Sequence, residues 1–469
     1  MKSIFSATDL YNRYEDYREN SLEIRRFGVD KIIPLIERIS GNSKFVTEES
    51  GKSILGKPIH SIGFGRGKTR VLMWSQMHGD EPTATMALFD FINFLAASDD
   101  FDYYRKKIFD NLTIVAVPML NPDGAEAFTR ENAVNIDLNR DALRLQCPES
   151  QLLKNLHKKN KPDFSFNLHD QNSRYTAGNS FKSAAVSLLA PPFNTKKEIN
   201  SVRKKTMQVI VDIKRTLKKY IPGHIARYND DFEPRAFGDN FVKWGTSSIL
   251  IESGGWKDDP DKNYIRKMNF LAFCSGLASI ATKSFKKNKY RDYYKIPEND
   301  KLIFDLLLRN LTLKSGDFKC KIDVGINRTE IRTANGIYQQ GIIDDVGDLS
   351  TFYGFEEYDL ENYEIIPAKE NEGLFDSTGS INAKSVSGSL KSGKLIYRVN
   401  PANFIKDEIN FPFLFIPGNL KPELSIKPGN YAFFSLSEKN NTRFVIANGF
   451  FIDNEIGTSK KVNGLLLQS

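Results

Sequence analysis

Short apolar runs that stop at clusters of polar residues alternate along the first part of this chain with longer stretches whose apolar positions recur every three or four residues. The runs Arg70-Val71-Leu72-Met73-Trp74, Leu112 to Leu120, Phe164 to Leu168 and Ser247 to Ile251 predict buried strands. The periodic stretches Pro82 to Ala97, Glu149 to Asn160, Thr195 to Tyr220 and Asp261 to Lys283 predict helices. Such alternation predicts an α/β fold, a mixed and mostly parallel sheet covered by helices. Residues 1–40 read as a helical lead-in, with Leu22, Ile24, Phe27, Ile32, Ile33, Leu35, Ile36 and Ile39 on an apolar face interrupted near Pro34. Lys44 to Gly65 reads as two short strands around Gly51 and Gly56, which open a catalytic domain spanning 41–283.

Residues 284–300 are charged, contain Pro297 and lack apolar periodicity, so they read as a basic linker. Beyond them the pattern changes. Ile303 to Leu313 predicts one helix. Short alternating runs such as Lys394 to Val399 and Phe444 to Ala447, separated by Gly, Asn and Asp, then predict a smaller, mainly-β accessory domain over 301–469, in the form of a sandwich or barrel.

The chemistry gathers at strand exits. Ser75-Gln76-Met77-His78-Gly79-Asp80-Glu81-Pro82 places His78 and Glu81 three residues apart, where Gly79 is expected to free the backbone to turn and Pro82 to open a helix. Imidazole and carboxylate at that spacing can face one Zn²⁺, which needs a third protein ligand. Of the histidines at 60, 78, 157, 169 and 224, His169 is best placed, because a predicted strand runs into it. Asn121-Pro122-Asp123-Gly124, Arg130 and Asn135-Ile136-Asp137-Leu138-Asn139-Arg140 follow another strand, and guanidinium and amide donors there suit a carboxylate ligand. Ile251-Glu252-Ser253-Gly254-Gly255 puts Glu252 at a strand mouth, suited to take a proton from water and deliver it to a leaving amine.

In this order, H-x-x-E, N-P-D-G, a lone arginine, D-L-N-R, a histidine after a strand and I-E-S-G-G, the motifs resemble the zinc carboxypeptidase family from about Gly51 to Ala281. Gly51 to Ile59 resembles that family's opening hairpin. The resemblance implies one zinc ion on His78, Glu81 and His169, with Glu252 as general base and acid. It further implies that Asn139 and Arg140 hold the substrate's terminal carboxylate, that Arg130 polarises the scissile carbonyl, and that Asp137 orients His78. Tyr228 is nearest in order to the family's mobile tyrosine. From Glu81 to His169 is 88 positions (169 minus 81). This spacing and His169-Asp170-Gln171-Asn172-Ser173 resemble the deacylase branch, which includes aspartoacylase and succinylglutamate desuccinylase.

Composition narrows the remaining classes. Hydrophobic content of 40% and charged content of 26% are those of a globular protein. No apolar run approaches the roughly 18 residues of a membrane helix. Net charge +8 has local lysine-rich sources with no nucleic-acid motif, so no nucleic-acid partner is expected. Three scattered cysteines and the absence of a secretory signal in Met1 to Arg26 suggest a cytoplasmic location. The sequence therefore leads to a zinc-dependent metallocarboxypeptidase cutting the C-terminal amide bond of a peptide with a free carboxylate. The alternatives are an N-acyl amino acid deacylase and a catalytically silent binding protein on the same fold.

Overall fold

The computed structural model describes residues 6–333, 336–375, 383–400, 410–418, 420–457 and 462–467. Residues 1–5, the start of the expected lead-in, lie outside it. The chain divides into two compact units, Met1–Lys301 and Leu302–Ser469.

In the first unit α1 (Ala7–Asn12) and α2 (Val29–Ser40) precede β1 (Phe45–Lys52), β2 (Pro58–Gly65) and β3 (Thr69–Trp74). Then come α3 (Thr83–Ala96), α4 (Asp102–Asn111), β4 (Leu112–Val117), α5 (Pro122–Ala127), α6 (Pro148–Asn160), β5 (Phe164–Asp170), β6 (Thr176–Ala177) and β7 (Val186–Leu189). The unit closes with α7 (Ser201–Leu217), β8 (Ile225–Arg227), α8 (Phe237–Lys243), β9 (Ser247–Ser253), α9 (Asn263–Thr282) and β10 (Asn299–Asp300). The main sheet has the order β1-β2-β4-β3-β5-β9-β7-β8. Its centre, β4-β3-β5-β9, is parallel.

Burial on both faces makes the central strands apolar throughout. In β3, Val71 and Met73 join a core with α2, α3, α7 and α9, whereas Leu72 and Trp74 join a second core with α6 and α8. The period of two along one strand thus separates two helix layers. α4 was not legible because its sequence is polar; it buries only Tyr104, Arg105 and Ile108.

The lead-in differs in detail from the expectation, since α2 runs through Pro34. It is tied to the domain by polar bonds as well as by apolar packing. The Glu19 N–H donates to Asp90 Oδ1 at 2.7 Å, Arg266 Nη2 donates to Glu19 O at 2.9 Å, and Arg38 and Asn93 both bond the Glu19 carboxylate. Residues 284–300 are not a free linker. They form 3₁₀ turns at Ser284–Lys287 and Tyr290–Lys295 and bury Phe285, Tyr293 and Ile296. These apolar residues fall on consecutive turns among charges, so no helical or strand period betrays them.

In the second unit Ile303–Ser315 is a strand, β11, where the sequence predicted a helix. It pairs with β12 (Phe318–Thr333) and, in parallel, with β14 (Tyr353–Asp359); Leu306 and Leu308 are buried in one cluster and Phe304 and Leu307 in another. An apolar run covered on both faces cannot be told from a buried helix by periodicity. The same sheet includes β13 (Gly336–Gly347), β15 (Glu364–Pro367), and, further along the chain, β19 (Phe433–Glu438), β20 (Asn441–Ala447) and β21 (Phe450–Asp453). A second, parallel sheet joins β16 (Lys369–Phe375), β17 (Lys394–Val399), β18 (Leu414–Pro417) and β22 (Leu465–Leu466), with α10 (Ala383–Lys391) preceding β17. The unit is mainly β as expected, although parallel pairing with a helical connection was not. Cys147 and Cys274 are buried, Cys320 is half-buried, and all three are free. Among the described residues no helix is long and apolar enough to cross a membrane.

Burial pushes the Glu19 carboxyl up, but hydrogen bonds from Arg38, Ser21 and Asn93 outweigh it and hold the group at about 2. A depressed folded pKa contributes stability that is present above the unfolded value near 4.5 and is lost as pH falls toward 2. Glu19→Gln should therefore cost about 1–2 kcal/mol at pH 7, with the difference from wild type shrinking below pH 4.5, as read by urea unfolding across pH.

Candidate active site

The parallel register of β5 and β9 sets His169 directly opposite Glu252. Next to them β3 ends at Trp74, opposite Asn167, and its chain continues into the loop that carries His78 and Glu81. That loop turns at Gln76, whose φ of 46° is left-handed, and the Gln76 side chain donates to Gly79 O at 3.0 Å. Gly79 serves another purpose than the expected turn. A Cβ there would lie 1.9 Å from the Gly124 carbonyl carbon, so the glycine lets the loop pack against α5.

The N-P-D-G segment binds these parts together. The Asn121 amide donates to Met77 O at 3.3 Å and to Glu131 O at 3.2 Å, linking the backbone beside His78 to that beside Arg130. Its oxygen accepts from the Gly124 N–H at 2.9 Å and caps α5. Buried Asp123 accepts from Ser53 Oγ at 2.9 Å and from the Leu55 N–H at 3.0 Å, which fixes the turn between β1 and β2.

The donor atoms converge. His78 Nδ1 is 2.8 Å from Glu81 Oε1, His169 Nδ1 is 2.8 Å from Glu81 Oε2, and the two Nδ1 atoms are 3.1 Å apart. Among the described residues no other three histidine, cysteine or carboxylate side chains come together in this way. The His78 Nε2 lies 3.0 Å from Asp137 Oδ1, so that Nδ1 is the ring nitrogen that faces Glu81 and His169. Ligands about 2.0–2.1 Å from a tetrahedral Zn²⁺ stand about 3.3 Å from one another, so two imidazoles and a carboxylate separated as these are fit that ion.

The local charges point the same way. Burial alone would push His78 down, but Glu81 and Asp137 raise it to about 9, whereas burial lowers His169. Burial pushes Glu252 well above the usual carboxyl range, and the charge of Glu81 adds to the shift. Burial raises Asp80 to about 6, again with Glu81 adding. A buried pocket with this excess of carboxyl groups favours a bound cation.

Arg130 reaches into the cluster, with Nη1 3.2 Å from both His78 Nδ1 and Glu81 Oε1, while Nε and Nη2 hold Asp137 Oδ2 at 3.1 and 3.0 Å. Asn139 and Arg140 lie on a 3₁₀ turn, Leu138–Arg140. Asn139 Oδ1 accepts from the Phe237 N–H at 2.9 Å. Tyr228 follows β8, and the charge of Glu252 and burial raise its phenol. The remaining histidines lie elsewhere: His224 bonds Ser183 O at 2.8 Å, His157 packs on Phe241 and Trp244, and His60 lies on β2. Trp256 packs on His224 and Tyr264 at the edge of the core.

One contributor had no sequence signal. Lys262 is buried, and its ammonium donates to Ser253 O at 2.9 Å, Asp170 Oδ2 at 3.1 Å and Gln171 O at 3.3 Å. It thereby clamps the ends of β5 and β9 just beyond His169 and Glu252. Thr83 Oγ1 donates to the same Asp170 oxygen, and the Asp170 N–H bonds Glu81 Oε2 at 3.1 Å.

Residues 35–224 match the family described as zinc carboxypeptidase. Carboxypeptidase 2 of Trichophyton rubrum is 32% identical over 114 residues, covering 24% of this chain and 20% of that protein. Carboxypeptidase SOL1 of Arabidopsis thaliana is 33% identical over 97 residues, 19% of this chain and 20% of that protein. The aligned part thus spans about a fifth of the length of these relatives. Among solved structures, a metallo-carboxypeptidase from Burkholderia cenocepacia is 16% identical with a TM-score of 0.45, covering 55% of this chain and 70% of that one. Bovine thrombin-activatable fibrinolysis inhibitor is 14% identical with a TM-score of 0.45, covering 58% and 100%. Over residues 35–224 the resemblance to the zinc carboxypeptidase family holds. Tyr228 and Glu252 lie beyond that stretch, and the pairing of β5 with β9 sets Glu252 opposite His169.

Lys262→Met should leave Asp170 buried without its cation. We expect a loss of about 3 kcal/mol in urea unfolding, together with weaker zinc binding in equilibrium dialysis, because the strand ends that carry His169 and Glu252 lose their clamp.

Proposed function

We propose that this chain is a zinc-dependent metallocarboxypeptidase that hydrolyses the C-terminal amide bond of a peptide bearing a free carboxylate. The observation that carries the reading is the register of β5 against β9, which sets His169, one of three converging candidate ligands, opposite the buried acid Glu252. His78, Glu81 and His169 would hold one zinc ion. Bound zinc supplies a Lewis acid that polarises the scissile carbonyl and lowers the pKa of water toward about 7.

The chain's own residues divide the remaining work. Asn139 and Arg140 would anchor the terminal carboxylate through amide and guanidinium donors. Arg130 stabilises negative charge developing on the carbonyl oxygen, a contribution on the order of 10²–10³ in rate for one such donor. Glu252 takes a proton from water and returns it to the departing amine. Asp137 keeps the His78 ring in the tautomer that presents Nδ1. Tyr228 would take the part of the family's mobile tyrosine.

The alternative is an N-acyl amino acid deacylase that would use the same three ligands and the same acid.

The test is a mass-spectrometric digest of peptides with free C termini, the same peptides amidated, and N-acyl amino acids, each with and without a chelator. Chelator-sensitive trimming of the free peptides alone is expected; cleavage confined to the N-acyl amino acids would transfer the chain to the deacylase class. Metal analysis should find one zinc per chain, falling to none in His169→Ala. Glu252→Gln should retain the zinc while turnover falls by about 10²–10⁴.

A further inference from the structure

The segment between β8 and α8 carries a charged group placed against the proposed carboxylate anchor. Arg235 grips Glu233 with two parallel bonds, Nε to Oε1 at 2.9 Å and Nη2 to Oε2 at 2.8 Å. Arg140 approaches the same Oε2, with its Nε at 3.5 Å, while its Nη1 donates to Asn139 O at 2.9 Å. Two guanidiniums therefore share one carboxylate oxygen, the arrangement a substrate carboxylate would seek.

Backbone contacts fix this meeting. The Glu233 N–H donates to Asp239 Oδ1 at 3.2 Å, the Ala142 N–H to Arg235 O at 3.1 Å, and the Phe237 N–H to Asn139 Oδ1 at 2.9 Å. The segment is thus laced to the turn that carries Asn139 and Arg140, and Glu233 stands at Arg140 by construction. The hydrogen bond from Arg235 and the charge of Arg140 keep the Glu233 carboxyl near 2, so it is ionised at any working pH.

We propose that Glu233 is a resident competitor for Arg140, displaced by the substrate's terminal carboxylate, and that Arg235 is the holder that keeps Glu233 satisfied once it is displaced. The inference rests on the carboxylate-anchoring role of Arg140 given above. The two interactions of Glu233 are unequal. The one with Arg140 is a single longer ion pair, whereas the one with Arg235 is a short fork, so exchange gives up the weaker and retains the stronger. An incoming carboxylate can fork onto Arg140 and so replace the ion pair that Glu233 gives up. An amide brings no charge and leaves Glu233 in place. Side-chain exposures of 38% at Arg140 and 55% at Arg235 leave the exchange open to solvent. Glu233 and Arg235 thereby tune the affinity for free carboxylates in opposite directions, Glu233 lowering it by competing for Arg140 and Arg235 restoring part of it, while neutral ends are untouched.

The test is calorimetric binding of a blocked dipeptide, as free acid and as amide, to the zinc-loaded Glu252→Gln protein, in which turnover is suppressed. On that background Glu233→Gln should tighten the free acid by about 2- to 5-fold, the scale of one exposed ion pair, and leave the amide unchanged. Arg235→Ala should weaken the free acid by a similar factor, because Glu233 then turns wholly onto Arg140. The double variant Glu233→Gln/Arg235→Ala should bind as Glu233→Gln does, since a holder has no function without its charge. Unchanged or weaker free-acid binding by Glu233→Gln, or additive effects in the double variant, would overturn the proposal, as would a free-acid preference that survives Arg140→Ala. Binding and hydrolysis are read separately. The full pattern without peptide cleavage leaves this inference standing and removes the peptidase reading; cleavage of free peptides without the pattern does the reverse.

Discussion

Everything in the first unit answers to the cost of burying Glu81, Glu252 and two imidazoles at one edge of a sheet. Ionised carboxylates out of water need compensation on the scale of several kcal/mol each. The chain supplies Arg130 and Lys262 at the margins of the cluster, and leaves its centre, where Nδ1 of His78 and His169 face each other at 3.1 Å, for a cation. A strand edge is a suitable place for this. Parallel strands buried on both faces are rigid, and their carboxyl ends project several side chains into one crevice.

Rigidity at the strands does not by itself place the loop ligands. His78 and Glu81 lie beyond the end of β3, and Arg130 and Asp137 lie in irregular chain after α5. Asn121 bridges these two segments, and the absence of a side chain at Gly79 allows the close approach that the bridge requires. Asp123 extends the same network to the turn between β1 and β2. Motifs that look separate along the chain are thus parts of one hydrogen-bonded assembly. Substitution at Asn121 or Gly79 would act on the site through the position of His78 and not by touching a ligand.

Legibility followed the reach of each interaction. The strand positions in 71–74, 164–168 and 247–251 were readable because burial on two faces leaves a plain apolar run, and His78, Glu81, His169 and Glu252 stand at or just beyond the ends of such runs. β11 was unreadable by the same rule, because Ile303 to Leu311 is apolar enough for either state and its partners β12 and β14 come later in the chain. The segment 284–300 looked like a linker because the residues that anchor it, Phe285, Tyr293 and Ile296, have no common period. Gly79 was assigned to a turn, whereas what requires a glycine there is a neighbour some 45 positions away.

By itself the sequence determined where the chemistry-bearing side chains lie relative to their own strands, since hydrophobic period and strand ends are local properties. It also restricted the candidate metal ligands, because few histidines exist and His78 and His169 are the ones that follow predicted buried strands. Tertiary structure alone decided which side chains meet. The register of β5 on β9 brought Glu252 opposite His169, Lys262 came from the start of α9 to clamp both strands, and Glu233 came from the segment before α8 to stand at Arg140. The physical reason is one of range. Local propensity and burial act within a few residues, whereas the meeting of charges depends on strand order and loop closure across the whole unit, which no window of sequence contains.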